Sequence, residues 1–280
     1  MLFAAHGLSM DYEIRGDGRP LLLVHGLAGD RAMLAEACEP AFAEAPGWRR
    51  IYLDLPGHGR SPKGAGPGSA DALLAVLAAF AREHAPGAAL VGHAYGGYLA
   101  LGLLRELSAV AGAFLVCPVV EPDLPLRRLP PQRVVATEPD LAFADDGERD
   151  MFYGAAVVQT KAALAVYRRV VHPAYLAADR GFVQSVRARY GFSGPWAAAA
   201  AGFDRPLVVA CGRDDFWSGY EDATRILRLC ARAELAVLPE CGPLLPLEQP
   251  ARFRGLLRGF LDRVGEEKPS GVPEPSARSR

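Results

Sequence analysis

Residues 90–100 read LVGHAYGGYLA, and this short stretch decides the fold. It begins inside an apolar run, turns on glycine and continues with residues that favour a helix. We therefore predict a buried strand over residues 88–91, a sharp turn, and a helix over residues 95–107. The stretch predicts one strand–helix unit of a protein in which strands and helices alternate.

The same alternation runs through most of the chain. It predicts an α/β fold with a mostly parallel central sheet and helices on both faces. Ser69 is the expected N-cap of one of the helices. The predicted strands are 10–15, 20–25, 50–53, 88–91, 113–117, 206–211 and 234–238. The predicted helices are 71–83, 95–107, 221–232 and 250–264.

The alternation stops between residues 119 and 200, where helical patches occur without clear strands. We predict a helical cap over this segment, inserted into a core made of residues 1–118 and 201–265. Residues 266–280 are polar and rich in proline and serine, which predicts a disordered tail.

Composition and charge exclude several classes of function. The 280 residues carry a formal net charge of -1 and no long basic run, so nucleic acid is not an expected partner. No apolar run approaches the roughly 20 residues that span a bilayer, and the N-terminus lacks the basic start of a signal peptide. The five cysteines are odd in number and scattered, which indicates a reducing compartment. We therefore predict a cytoplasmic protein without a membrane partner.

Five motifs follow one another along the chain. They are VHGLAGD (24–30), DLPGHGRS (54–61), GHAYGG (92–97), VVACGRDD (208–215) and PECGPLLPLEQP (239–250). In this order and spacing the chain resembles the α/β-hydrolase superfamily, and within it the branch of small esterases, C–C hydrolases and lyases. The resemblance implies the α/β-hydrolase fold with an inserted cap. No G-x-G-x-x-G follows the first strand, which argues against a dinucleotide-binding fold.

Two positions depart from the pattern of this superfamily. The elbow motif G-x-S-x-G carries the nucleophilic serine at its centre, and here the centre is Ala94. The superfamily histidine falls on Pro243 when the motif at 248–250 anchors the alignment, and no histidine occurs after residue 172. The acid position is retained at Asp215. A methyl group cannot attack a carbonyl carbon, so covalent serine catalysis is excluded.

The resemblance also implies an oxyanion hole, which does not depend on the serine hydroxyl. Its expected donors are the backbone N–H groups of Leu27 and Tyr95. Such donors stabilise any developing oxyanion, including an enolate. Asp215 is the candidate acid–base group, because burial without a histidine partner raises the pKa of a carboxyl group. The alternative is that Asp215 accepts hydrogen bonds from backbone amides and only shapes its turn.

Seven residues are candidates for substrate binding. Ala94 leaves room where a hydroxyl group would stand, and His25 and His93 either line the site or organise its loops. His172 either replaces the missing base from the cap or packs within the cap. Three aromatic residues are expected in the pocket between cap and sheet: Tyr153, Trp196 and Trp217. Neither a metal-ligand cluster nor a phosphate-binding loop is apparent, so no cofactor and no metal are predicted.

Three functions are compatible with these features, each with a small molecule as the partner. The first is a non-hydrolytic enzyme that catalyses cyclisation, C–C bond formation, elimination or isomerisation of a hydrophobic, carbonyl-bearing compound. The lack of asparagine and the three lysines indicate a GC-rich bacterial genome, and secondary metabolism is the expected setting. The second is a pseudoenzyme that binds its ligand without turnover. The third is a residual hydrolase that uses water and another base. The oligomeric state is left open.

Overall fold

The structure, a computed structural model, describes residues 1–195, 197 and 200–267. Within these residues the strands are β1 (Leu2–Ala5), β2 (Leu8–Arg15), β3 (Arg19–Val24), β4 (Trp48–Leu53), β5 (Ala89–His93), β6 (Gly112–Val116), β7 (Ala136–Thr137), β8 (Val158–Gln159), β9 (Leu207–Gly212) and β10 (Ala233–Leu238). The α-helices are α1 (Arg31–Phe42), α2 (Ala70–His84), α3 (Tyr95–Glu106), α4 (Asp146–Tyr153), α5 (Lys161–Val170), α6 (His172–Ala177), α7 (Arg180–Ala188), α8 (Thr224–Leu229), α9 (Leu245–Glu248) and α10 (Pro250–Glu266).

One large sheet organises the molecule. Its strand order is β1-β2-β4-β3-β5-β6-β9-β10. The pairs β1–β2 and β2–β4 are antiparallel, and the other neighbouring pairs are parallel. The central strands β5 and β6 are buried at every residue, as parallel strands covered on both faces must be. Helices α2 and α3 pack in the hydrophobic cluster on one face, and α1 and α10 pack in the cluster on the other. The predicted fold class is confirmed.

Helix α2 illustrates how local sequence produces these elements. Its buried residues include Leu73, Leu77 and Phe80, which lie on one face at helical spacing. The Ser69 side chain accepts a hydrogen bond from the backbone N–H of Ala72 at 3.2 Å. That bond satisfies one of the backbone donors that the first turn of a helix leaves open. The predicted N-cap is therefore confirmed.

Some elements differ from the prediction. Strand β1 and helix α1 were not predicted. Strand β1 has only four residues, and helix α1 is buried on several sides and contains Pro40 near its end. A pattern that is buried on several sides shows no clear helical period. Helix α8 covers only Thr224–Leu229 of the predicted range 221–232. The predicted strand and helix on either side of the sharp turn at residue 94 are present as β5 and α3.

The segment from 119 to 200 contains helices α4 to α7, together with the short parallel strands β7 and β8. The prediction placed no strand here, since two residues are too few to show alternation. Glu248 ties this segment to the core: its Oε1 accepts from Val157 N at 2.9 Å, and its Oε2 accepts from Gly242 N at 2.7 Å. The Tyr98 hydroxyl accepts from Phe192 N at 2.8 Å. The cap and core boundaries stay a prediction.

Two further features concern the ends and the surface of the chain. Helix α10 ends at Glu266, and the rest of the predicted tail, from residue 268, lies outside the described residues. In the part of the chain that is described, every helix is too short or too polar to cross a membrane.

Candidate active site

The sharp turn between β5 and α3 is centred on Ala94. Its backbone has φ 50° and ψ -114°, a conformation that residues with a side chain rarely adopt. The Ala94 N–H donates to Val116 O at 2.9 Å, which holds the turn against β6. The methyl group of Ala94 is partly exposed, whereas the residues on both sides of it are buried. The turn therefore leaves this one position partly accessible at the carboxyl end of the parallel strands.

The loop after β3 is held by His25. This ring is buried; its Nδ1–H donates to Gly26 O at 2.7 Å, and its Nε2 accepts from Leu55 N at 2.9 Å. Burial lowers the pKa of His25 to about 3, so the ring is neutral at physiological pH. Both ring nitrogens are occupied by backbone groups. Of the two roles expected for His25, these bonds favour organisation of the loop, and a contact with substrate stays a prediction.

The DLPGHGRS motif shapes the same loop from the other side. His58 Nε2 accepts from Ala28 N at 3.0 Å, and its Nδ1–H donates to Pro56 O at 2.9 Å. These bonds hold Ala28 at φ 62°. Asp54 Oδ1 accepts from Arg31 N at 2.9 Å. A site role of this motif was not predicted, although its density of Gly, Pro and His in eight residues was a visible signal.

Two backbone amides beside Ala94 have no acceptor. Among the described residues, neither Leu27 N–H nor Tyr95 N–H donates a hydrogen bond to a protein atom. Tyr95 is the first residue of α3, where helix geometry leaves N–H groups open. Leu27 follows Gly26, and a Cβ atom added to Gly26 would lie 3.2 Å from the Ala94 Cβ. Leu27 and Tyr95 therefore each follow one of two residues that lie close together, Gly26 and the partly exposed Ala94, and their role as oxyanion donors stays a prediction.

His93, the residue before Ala94, has one occupied and one open ring nitrogen. Its Nε2 lies 2.9 Å from the Pro243 carbonyl oxygen, which can only accept, so the proton is on Nε2. Its Nδ1 has no hydrogen-bond partner within the described residues. Burial lowers the pKa of His93 to about 4. The ring is therefore a neutral acceptor near the elbow.

Asp215 is fully buried after β9. Its Oδ1 accepts from Trp217 N at 2.9 Å and from Ser218 N at 3.0 Å, while its Oδ2 is buried without a partner. Burial raises the pKa of Asp215 to about 6. The hydrogen bonds from the Ser218 and Trp217 backbone amides oppose that rise without cancelling it. Both expectations for Asp215, the raised pKa and the turn-shaping bonds, describe this carboxyl group. It is not exposed to a ligand in this structure.

The loop at residues 241–243 packs against the turn that precedes Asp215. Asp214 N donates to Cys241 O at 3.0 Å, and Pro243 itself is buried. Burial raises the pKa of the Cys241 thiol to about 12, so it stays protonated and is a poor nucleophile. The loop therefore supplies backbone contacts rather than a reactive side chain.

The remaining candidates are not joined to the elbow. The His172 ring stacks on Tyr167 with centroids 5.8 Å apart. Tyr153 is exposed and contacts Phe143 edge-on at 5.3 Å. Trp217 is exposed next to Asp215, and Trp196 lies outside the described residues. In residues 1–195, 197 and 200–267 no group of three or more His, Cys, Asp or Glu is arranged to hold a metal ion.

Two grooves lie away from Ala94. One, of about 380 Å³, lies between β10 and α10 and includes Leu235 and Gly259. The other, of about 320 Å³, lies between Tyr98 of α3 and residues 192–195. The site at Ala94 therefore rests on its unpaired donors and acceptor rather than on the size of a cavity.

Comparisons with known proteins agree with this geometry. The family described as "Alpha/beta hydrolase family" matches residues 21–256. A crystal structure of an alpha/beta superfamily hydrolase from Oenococcus oeni PSU-1 is 25% identical, with a TM-score of 0.86 over 95% of this chain and 100% of that chain. A putative aryl esterase from Burkholderia cenocepacia is 24% identical, with a TM-score of 0.75 over 95% of this chain and 98% of that chain. The second likeness shows the fold alone.

One curated protein matches part of the chain. The dihydrolipoyllysine-residue acetyltransferase component of the acetoin cleaving system of Pseudomonas putida is 38% identical over 113 residues. The match covers 37% of this chain and 30% of that protein, so the chain spans less than a third of this relative's length.

Proposed function

Since this chain belongs to the alpha/beta hydrolase family, we propose that it binds the carbonyl oxygen of a small molecule at the Leu27 and Tyr95 amides. It acts on that molecule without a covalent serine intermediate. The observation that carries the proposal is the pair of unpaired N–H groups, one directly after the partly exposed Ala94 and one directly after Gly26, which packs against Ala94. Unpaired donors that converge on one accessible point are the basis of an oxyanion hole.

A serine mechanism is incompatible with the residues at the elbow. Nucleophile, base and acid must be present together, and loss of the nucleophile alone costs on the order of 10⁶ in kcat. By motif alignment Ala94 replaces the serine and Pro243 replaces the histidine. The buried carboxyl of Asp215 then has no imidazole to orient. Any activity must use the amides and the position of the bound molecule.

The chemistry that fits is a reaction in which negative charge develops on a carbonyl oxygen. The two amides stabilise that charge, and alignment of the reacting atoms lowers the barrier further. Cyclisation, C–C bond formation, elimination and isomerisation next to a carbonyl group can each pass through such a charge, as an enolate or an alkoxide. The substrate class is a hydrophobic, carbonyl-bearing small molecule, and the setting is bacterial secondary metabolism in the cytoplasm.

A second candidate is a binding protein that does not turn its ligand over. It is favoured by the position of Asp215, which is sealed from solvent and has Oδ2 without a partner. A carboxyl group in that position cannot touch a ligand. Amides that only bind a carbonyl oxygen would then be the remaining function of the elbow.

The test compares the small molecules of the host with and without this gene. Purified protein is then added to the extract of the deletion strain. Conversion of an accumulated compound with a mass change other than the gain of water, or with unchanged mass and new retention time, supports the proposal. Retention of a compound without conversion supports the binding protein. A gain of water overturns both in favour of hydrolysis.

A matched pair of variants ties the result to the elbow. Gly26→Ala places a methyl group 3.2 Å from the Ala94 Cβ and 3.3 Å from His93 Nδ1, which narrows the site. Gly255→Ala places the same group in open space on α10. We expect the first variant to lose conversion or retention and the second to keep it. Equal conversion or retention by the two variants would mean that the active site does not lie at Ala94.

A further inference from the structure

We infer that Nδ1 of His93 is a second recognition point of this site. It selects carbonyl compounds that carry a hydroxyl or N–H donor next to the carbonyl group. The inference rests on the proposed function, since it assumes that the carbonyl oxygen lies at the Leu27 and Tyr95 amides. The acceptor at Nδ1 specifies the chemical class of the ligand, which the two amide donors alone do not determine.

The tautomer of His93 follows from its partner. The Pro243 carbonyl oxygen lies 2.9 Å from Nε2 and can only accept, so Nε2 carries the proton and Nδ1 carries a lone pair. The other two buried histidines show the opposite arrangement. In His25 and His58, Nδ1–H donates to a carbonyl and Nε2 accepts from a backbone N–H. Of these three rings, His93 has the open nitrogen.

The open nitrogen lies next to the two amide donors. A Cβ atom added to Gly26 would lie 3.3 Å from His93 Nδ1 and 3.2 Å from the Ala94 Cβ, so both groups lie against Gly26. Gly26 and Ala94 directly precede the donor residues Leu27 and Tyr95. The His93 side chain is 96% buried, since only 4% of the residue is exposed. Among described residues, the side-chain atoms that are fully buried without a partner are Oδ2 of Asp214 and Asp215. His93 Nδ1 is unpartnered and is not one of these fully buried atoms.

A hydrogen-bond acceptor beside two donors requires a ligand with the complementary pair of groups, an acceptor next to a donor. A primary carboxamide, an α-hydroxy ketone or an undissociated acid presents an acceptor oxygen and a donor side by side. A carboxylate has no donor, and its charge would face the Nδ1 lone pair in a buried setting. A dialkylamide has the oxygen but no donor. The site therefore prefers a primary carboxamide to both of these.

The experiment uses acetamide and N,N-dimethylacetamide, which are small enough to reach any site that leaves Ala94 accessible. The full chain, labelled with ¹⁵N, is titrated with each and followed by NMR of backbone amides and histidine ring nitrogens. Both compounds are expected to shift the Leu27 and Tyr95 amide signals. Acetamide alone is expected to shift the Nδ1 signal of His93. Amide shifts without an Nδ1 shift overturn the inference and leave the proposed function standing. If neither compound shifts the amides, both are overturned.

Two variants separate ligand recognition from a purely structural role. His93→Gln can place a donor near Pro243 O but leaves no acceptor at the Nδ1 position. His93→Asn keeps an acceptor there and loses the bond to Pro243. We expect His93→Gln to weaken acetamide binding about tenfold, because one hydrogen bond is lost. The affinity for N,N-dimethylacetamide should change by no more than about twofold. His93→Asn should keep the preference for acetamide and lower the melting temperature. Equal weakening of both compounds in both variants would mean that His93 is only structural.

Discussion

The Nε2 atom of His93 donates to the carbonyl oxygen of Pro243 at 2.9 Å, across 150 positions of sequence. One residue closes strand β5 and the other lies in the loop after β10, so the bond joins the elbow to the C-terminal part of the core. By motif alignment residue 243 is where the superfamily has its histidine. In this chain an imidazole remains at the elbow, but it comes from residue 93 and the backbone of residue 243 fixes its tautomer.

Asp215→Asn should raise the stability of the protein at neutral pH. Burial raises the pKa of Asp215 to about 6, well above its ordinary value, so the folded state disfavours the charged form. The resulting penalty is absent below the unfolded pKa, grows as pH rises from the unfolded to the folded pKa, and is constant above it. The asparagine oxygen can keep the two backbone bonds, although its amide group lacks a partner. The expected gain in free energy of unfolding is about 1–2 kcal/mol at pH 8 and near zero at pH 4.

Chemical denaturation at the two pH values measures this gain. Asp262→Asn is the control, because Asp262 is exposed and its change should leave the pH dependence as it is. An Asp215→Asn protein whose stability follows the wild type at both pH values would mean that Asp215 is not destabilised by burial.

Ala94→Gly should stabilise the protein, which is the reverse of the usual effect of glycine. Ala94 has φ 50°, where an L-residue is strained and glycine is not. The expected gain is about 1 kcal/mol, read as a higher denaturation midpoint with an unchanged slope. Ala79→Gly in α2 is the control and should cost about 1 kcal/mol. A loss of stability in both variants would show that Ala94 is not strained.

Gly96→Ala should disrupt the elbow. A Cβ atom on Gly96 would clash with the backbone carbonyl oxygens of Val24 and His25, which cannot move without displacing β3. We expect a loss of several kcal/mol in stability or an insoluble protein. Gly255→Ala is also a change within a helix, but its Cβ meets open space and should gain up to about 1 kcal/mol. The melting temperatures of the two variants are measured by thermal denaturation. Equal melting temperatures would contradict the close contact of α3 with β3.

The combined change Ala94→Ser and Pro243→His tests the motif alignment. If the elbow and Asp215 keep the superfamily geometry, the double variant should hydrolyse p-nitrophenyl acetate at least about tenfold faster than either single variant, since triad members act only together. Adding Asp215→Asn should remove the gain. Rates of the double variant no higher than those of the single variants would place the histidine position elsewhere than at residue 243.

Much of the architecture follows from local patterns. Apolar runs and helical faces predict the strands on both sides of the elbow and helix α2 with its Ser69 cap, because those signals lie within a few neighbouring residues. Helix α1 escapes prediction because it is buried on several sides and carries no clear period. The strands β7 and β8 could not be predicted, because each contributes only two residues to a pairing between positions 22 apart in sequence.

The fold class, most of the order of its elements and the alanine at the centre of the elbow motif can be read from local residues. How the polar groups are used follows from contacts between distant segments. The tertiary structure places both nitrogens of His25 on backbone groups, leaves Nδ1 of His93 open, and seals Asp215 from solvent. The reason is physical. Tautomer, burial and pKa depend on atoms brought in from distant segments, such as the Pro243 carbonyl, and no pattern of neighbouring residues encodes those contacts.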